Sequence, residues 1–163
     1  MDSEIHKILA ELHGAKSVDE GDACADKLAQ AARKNVDEVI HLYYSTETEA
    51  SALVSCLHGL TDKPVIDVYK HSLKNKDQYV RWAAVEGLKY STDPALIPVF
   101  VAALKDRSHL VKLVAVEWLK SHGDSSAIGP LEVILASSSL MKNSPGIINQ
   151  AKKAVKRLRA KAT

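Results

Sequence analysis

Apolar residues recur at intervals of three and four along most of the chain, as in Val80, Ala84 and Leu88 and again in Val111, Ala115 and Leu119. That spacing lines one face of a helix. No segment alternates apolar and polar residues between turn signals, so no strand is predicted. The interruptions carry helix-boundary chemistry. Asp93-Pro94 and Ser144-Pro145 each put a capping residue before a proline suited to a first helical turn, Thr46 followed by Glu49 has the form of a capping box, and Gly123 ahead of Asp124 and Ser125 reads as a helix stop. The pattern predicts helices over about 3–13, 20–33, 36–44, 47–60, 64–74, 78–90, 94–105, 109–122, 127–140 and 146–161, paired into hairpins.

These helices repeat. Displaced by 31 residues, the chain aligns Leu42, Leu73, Leu104 and Leu135; Val54, Val85 and Val116; Leu57, Leu88 and Leu119; and Asp62, Asp93 and Asp124. Residues 80–89 and 111–120 agree or are conservative at seven of ten aligned positions. The prediction is an all-α solenoid of about five antiparallel helical hairpins, forming one domain over residues 1–163. Its first 35 residues lose the register and residues 136–163 contain an insertion, as expected of capping units at the ends of an array. Within the insertion, Ala136 to Asn143 is a candidate flexible binding loop. The Leu42, Leu73, Leu104 and Leu135 row is expected to be buried.

The stretch from Ile97 to Asp106, followed by Val111-Lys112, Ala115-Val116, Leu119, Gly123-Asp124 and Ala127-Ile128, resembles the short HEAT-like repeat of phycobilisome lyase subunits. The resemblance covers about residues 36–135. It implies a structural ladder between the acid of the inter-helix turn and a basic residue opening the second helix. Asp106 and Lys112 match that pattern, while Asn75 and Arg81 match it with an amide in place of the acid and Asp77 as a substitute. It is specific for fold and nearly silent on activity.

Chain length and composition are those of a self-supporting globular protein: 163 residues, 46% hydrophobic and 26% charged. No apolar run approaches the roughly 18 residues of a membrane helix. The acidic opening Met1-Asp2-Ser3-Glu4 is unlike a signal peptide, so a cytoplasmic location is expected.

Candidate chemistry is sparse. His6, His13, His41, His58, His71, His109 and His122 are scattered singly, with no helical His-x-x-x-His pair. They also lack the His-Glu dipeptide that marks deoxyhypusine hydroxylase, a HEAT-like enzyme. Cys24 stands between Asp22 and Asp26, and Cys56 lies on an apolar stripe, so both read as fillers and not as nucleophiles. Neither a Gly-x-Ser-x-Gly motif nor a phosphate-cradling or dinucleotide loop occurs. The reading assigns no catalytic residue, no metal and no cofactor.

Surface features say more. Glu86 and Glu117 recur at one repeat position, each followed three residues later by Lys89 or Lys120 in an ordinary exposed ion-pair pattern. Trp82 and Trp118 lie on successive second helices; Trp118 aligns with Gly87 and is expected to fill the space that the glycine leaves. The net charge of +2 hides an uneven distribution: residues 1–50 carry 11 acids and 5 bases, and residues 140–163 carry 7 bases and no acid. Lys152, Lys153, Lys156, Arg157 and Arg159 form a possible patch for an acidic partner, with nucleic acid less favoured. The functional expectation is a non-enzymatic protein-binding adaptor or inhibitor, such as a bacterial immunity protein or assembly chaperone. It would bind its partner through Arg81, Trp82, Glu86, Lys89, Lys112, Glu117 and Lys120. The alternatives are a bilin lyase-like or nucleic-acid glycosylase-like enzyme component, or a nucleic-acid-binding module using the basic terminal helix.

Overall fold

The computed structural model describes residues 3–46 and 49–162. The fold is all-α, of the α-solenoid class, with no strand among the described residues. The chain divides into two compact units, Met1–Tyr90 and Ser91–Thr163.

Unit 1 contains α1 (Glu4–Gly14), α2 (Val18–Lys34), α3 (Val36–Ser45), α4 (Ala50–Cys56), α5 (Lys63–Ser72) and α6 (Gln78–Leu88). They pair as α1 with α2, α3 with α4 and α5 with α6. The second helices carry the core: Val54, Leu57, Val85 and Leu88 have no exposed surface. Caps set the first boundaries. Ser3 accepts from the His6 N–H, Ser17 accepts from the Glu20 N–H, and Glu20 reaches back to the Lys16 N–H, a close variant of a capping box.

The box expected at Thr46 and Glu49 does not form. The Thr46 hydroxyl donates to the Leu42 carbonyl and Glu49 pairs with His13 at 3.2 Å; Glu47 and Thr48 lie outside the described residues. The helix expected over 47–60 is also shorter, because Gly59 turns the chain at φ 85°, a conformation open to glycine.

Unit 2 contains α7 (Ile97–Ala103), α8 (His109–His122), α9 (Ile128–Leu135), α10 (Ser138–Asn143) and α11 (Pro145–Ala162), with 3-10 turns at Pro94–Leu96 and Ser125–Ala127 leading into α7 and α9. Asp93 and Asp124 open those turns by accepting from the N–H groups of Ala95 and Ser126. The bonds from Ser126 hold the exposed Asp124 carboxyl below its usual range. Helix α8 packs on α7 and α11, and Val116 and Leu119 are fully buried there. Gly123 is the C-cap that ends α8, and a side chain there would bring its Cβ to 2.5 Å from the Leu119 carbonyl oxygen.

The helix expected over 127–140 is instead two. Ser137 caps α10 by accepting from the Leu140 N–H, and the buried Leu140 pins this segment, so 138–143 is a short helix and not a loose loop. The Ser144 hydroxyl bonds His109 Nδ1 at 2.7 Å, tying the start of α11 to α8.

Of the repeated leucines expected to be buried, Leu42 and Leu104 are, whereas Leu73 and Leu135 are half-buried. The row marks the last turn of the first helices, at the edge of the core: Leu73 and Leu104 are C-caps and Leu135 ends α9.

Candidate functional site

The residues expected to bind a partner fall on α6 of unit 1 and α8 of unit 2, and they differ in environment. Arg81 is only 4% exposed, and its guanidinium donates to the carbonyls of Asn75 and Lys76. It closes the turn before α6 and is not an open contact residue. At the other position implied by the resemblance, Asp106 accepts from the Ser108 N–H.

Tyr79, Trp82, Glu86 and Lys89 follow one another at three- and four-residue steps along α6, hence on one face. Tyr79 is 56% and Trp82 38% exposed, unusual for rings of this size, and Glu86 forms an ion pair with Lys89. On α8, Glu117 is exposed, Lys112 is half-buried, and Lys120 donates to Gln150 of α11 instead of pairing with Glu117.

Trp118 is buried against Phe100, the two rings stacked at 4.1 Å, and its indole N–H donates to the Ser91 carbonyl. Packing is therefore its role. The space beside Gly87 is not Trp118's to fill: the ring of Tyr69 occupies it, 2.3 Å from where a Cβ would stand. Burial pushes the Tyr69 phenol well above its usual range and the Cys56 thiol up to about 12, which keeps both groups neutral.

A groove of about 820 Å³ in unit 1 escaped the sequence reading. Its walls include Tyr43, Tyr44, Thr46, His71, Asn75 and Asp77. Beneath it runs a bonded chain: His71 Nδ1 lies 2.9 Å from the Tyr43 hydroxyl, and Ser72 Oγ lies 2.8 Å from both that hydroxyl and the Val68 carbonyl. Each hydroxyl has one proton. All three contacts are bonds at once only if His71 Nδ1–H donates to Tyr43, Tyr43 to Ser72, and Ser72 to Val68. Ser72 is fully buried and its proton is committed, so the Ser72–His71 neighbours are no nucleophile and base. The signal that could have revealed this site is Ser72 itself, a polar residue at the repeat position that Ala103 and Ile134 fill with buried apolar side chains.

On α11 the apolar stripe Ile147, Ile148, Ala151, Ala154, Val155 and Leu158 is buried, leaving Lys152, Lys153, Lys156 and Arg157 exposed. Arg159 pairs with Glu132 of α9. Among the described residues no group of three or more His, Cys, Asp or Glu side chains is placed to hold a metal, and no helix is long and apolar enough to cross a membrane.

No curated protein matches the chain. Residues 66–141 match the family of HEAT repeats, and this stretch, from within α5 to within α10, consists of HEAT-like repeats.

Proposed function

We propose that the protein is a non-enzymatic, protein-binding HEAT-like adaptor or inhibitor of the cytoplasm, with a bacterial immunity protein or an assembly chaperone as its concrete forms. HEAT repeats are in general protein-interaction scaffolds. The observation that carries the reading is the face of α6, where Tyr79 and Trp82 stand exposed beside the Glu86–Lys89 pair. Large rings with a polar rim are the usual anchors of protein interfaces. On α8 of unit 2, Glu117, Lys112 and Lys120 are proposed as contact residues in their own right. Arg81 serves the α6 face indirectly by fixing the start of that helix.

A photo-crosslinking amino acid at Tyr79 tests this in cells of the source. One specific protein adduct is expected, and Trp82→Ala or Glu86→Lys should reduce it several-fold with helical content unchanged. An adduct indifferent to both substitutions would move the interface off α6.

The exposed bases of α11 favour a second, acidic partner. Their apolar backing is spent inside unit 2, which leaves only electrostatic attraction outward. In a gel-shift titration with duplex DNA and RNA, no sequence-specific complex is expected. Any low-salt complex should lose close to one unit of salt slope for each phosphate contact removed by neutralising Lys152, Lys153 or Lys156. A salt-resistant, sequence-dependent complex would make nucleic acid the partner.

A further inference from the structure

The groove of unit 1 has a chemistry independent of the α6 face. Three of its wall residues carry rings set steeply to one another: Tyr43 and Tyr44 at 5.0 Å and 75°, Tyr43 and His71 at 5.8 Å and 87°, Tyr44 and His71 at 5.5 Å and 63°. A point a few ångströms off the triangle of their centres lies within about 6 Å of every ring, the range over which ring quadrupoles attract a cation. Tyr43, 7% exposed and hydrogen-bonded on both sides, is a fixed back wall. Tyr44 and His71 are exposed side walls.

The field around this corner has the matching sign. Helices α3 and α5 end beside the groove, at Ser45 and Ser72, and the C-terminal end of a helix carries partial negative charge. Asp77 contributes a carboxylate to the rim, offset by the neighbouring Lys76. The Tyr44 phenol is shifted upward, by desolvation first and then by Tyr43 and the negative charge of Asp67, so a second carboxylate acts on this ring. Unit 1 as a whole carries 15 acidic and 11 basic residues.

From this arrangement we propose that the corner formed by Tyr43, Tyr44 and His71 seats the cationic side chain, lysine or arginine, of a basic segment in a partner protein. An anionic ligand would meet the Asp77 carboxylate at the rim and two helix C-termini, against the one lysine, Lys76. Among the described residues a metal ion would find no cluster of three or more His, Cys, Asp or Glu ligands. A partner's cation seated there comes within reach of all three rings, and its charge complements the unit that receives it.

Saturation-transfer NMR on the full chain tests the site with tetramethylammonium as the cation and tert-butanol as a neutral molecule of similar shape. The cation is expected to receive saturation and to shift upfield, and tert-butanol to do neither. Tyr44→Leu should weaken the cation's binding by about two- to fivefold, the worth of one exposed cation–π contact, while Tyr44→Phe retains it. Both substitutions change an exposed ring, and an unaltered circular dichroism spectrum will establish that the fold persists. Short peptides carrying a single lysine or arginine should displace the probe, and the same peptide with glutamate should not. Equal saturation of tert-butanol, full binding by Tyr44→Leu, or displacement by the glutamate peptide would each overturn the proposal. Trp82→Ala should leave probe binding intact, which separates failure here from failure of the α6 interface.

Discussion

Leu119→Ala is expected to cost unit 2 about 2 to 5 kcal/mol, whereas Leu135→Ala should cost less than about half as much. Both leucines fall in aligned columns of the 31-residue period, but Leu119 has no exposed surface and lies on α8, the helix against which α7 and α11 both pack. Truncation there removes the methyl groups from a site enclosed on all sides and leaves a cavity whose walls cannot fully collapse. Leu135 is the last residue of α9, is half-buried, and can relax toward solvent. In unit 1, Leu88 and Leu73 form the corresponding pair, with Leu88 fully buried and Leu73 half-buried at the C-cap of α5. Urea unfolding of the four variants measures the contrast. Equal losses within either pair would mean that the core does not follow the second helices.

That contrast also shows how far the repeat could be read. Periodicity located the second helices well, because Val54, Val85 and Val116 and Leu57, Leu88 and Leu119 recur at a three-residue step inside a fixed period and all are fully buried. The Leu42 row was equally regular in sequence yet marks helix ends, and a repeat shows that positions are equivalent without showing how deep they lie. Boundaries that depend on one hydrogen bond were harder. Ser137 splits α9 from α10 by capping Leu140, and no change in hydrophobic spacing announces it.

The candidate sites divided along the same line. Trp82, Glu86 and Lys89 share a face because helical spacing requires it. Arg81 sits one residue before Trp82 and turns inward, since the carbonyls of Asn75 and Lys76 offer its guanidinium bonds that substitute for water. Backbone acceptors leave no trace in a pattern of side chains. The groove was missed for a related reason: Tyr43 and His71 are 28 residues apart, off the 31-residue period, and meet through a direct hydrogen bond and an edge-on ring contact.

Gly87→Ala should destabilise the protein by about 1 to 3 kcal/mol, although alanine is the better helix former by about 1 kcal/mol. A Cβ at this position would stand 2.3 Å from Cζ and 2.4 Å from Cε1 of Tyr69. The ring cannot simply withdraw, because it is fully buried and its hydroxyl donates to the Leu57 carbonyl; moving it breaks that bond and presses on the surrounding core. Gly21 supplies the control. It also lies within a helix, nothing would come within 4 Å of its Cβ, and Gly21→Ala should therefore stabilise by up to about 1 kcal/mol. The mechanism makes one further demand. If the cost of Gly87→Ala comes from the Tyr69 ring, then in a Tyr69→Leu background, itself less stable, the same substitution should cost at least about 0.5 kcal/mol less than in the native chain. Denaturant titration of the two single variants and the double variant gives this coupling directly. Strict additivity would show that Gly87 is required for something other than the approach of Tyr69.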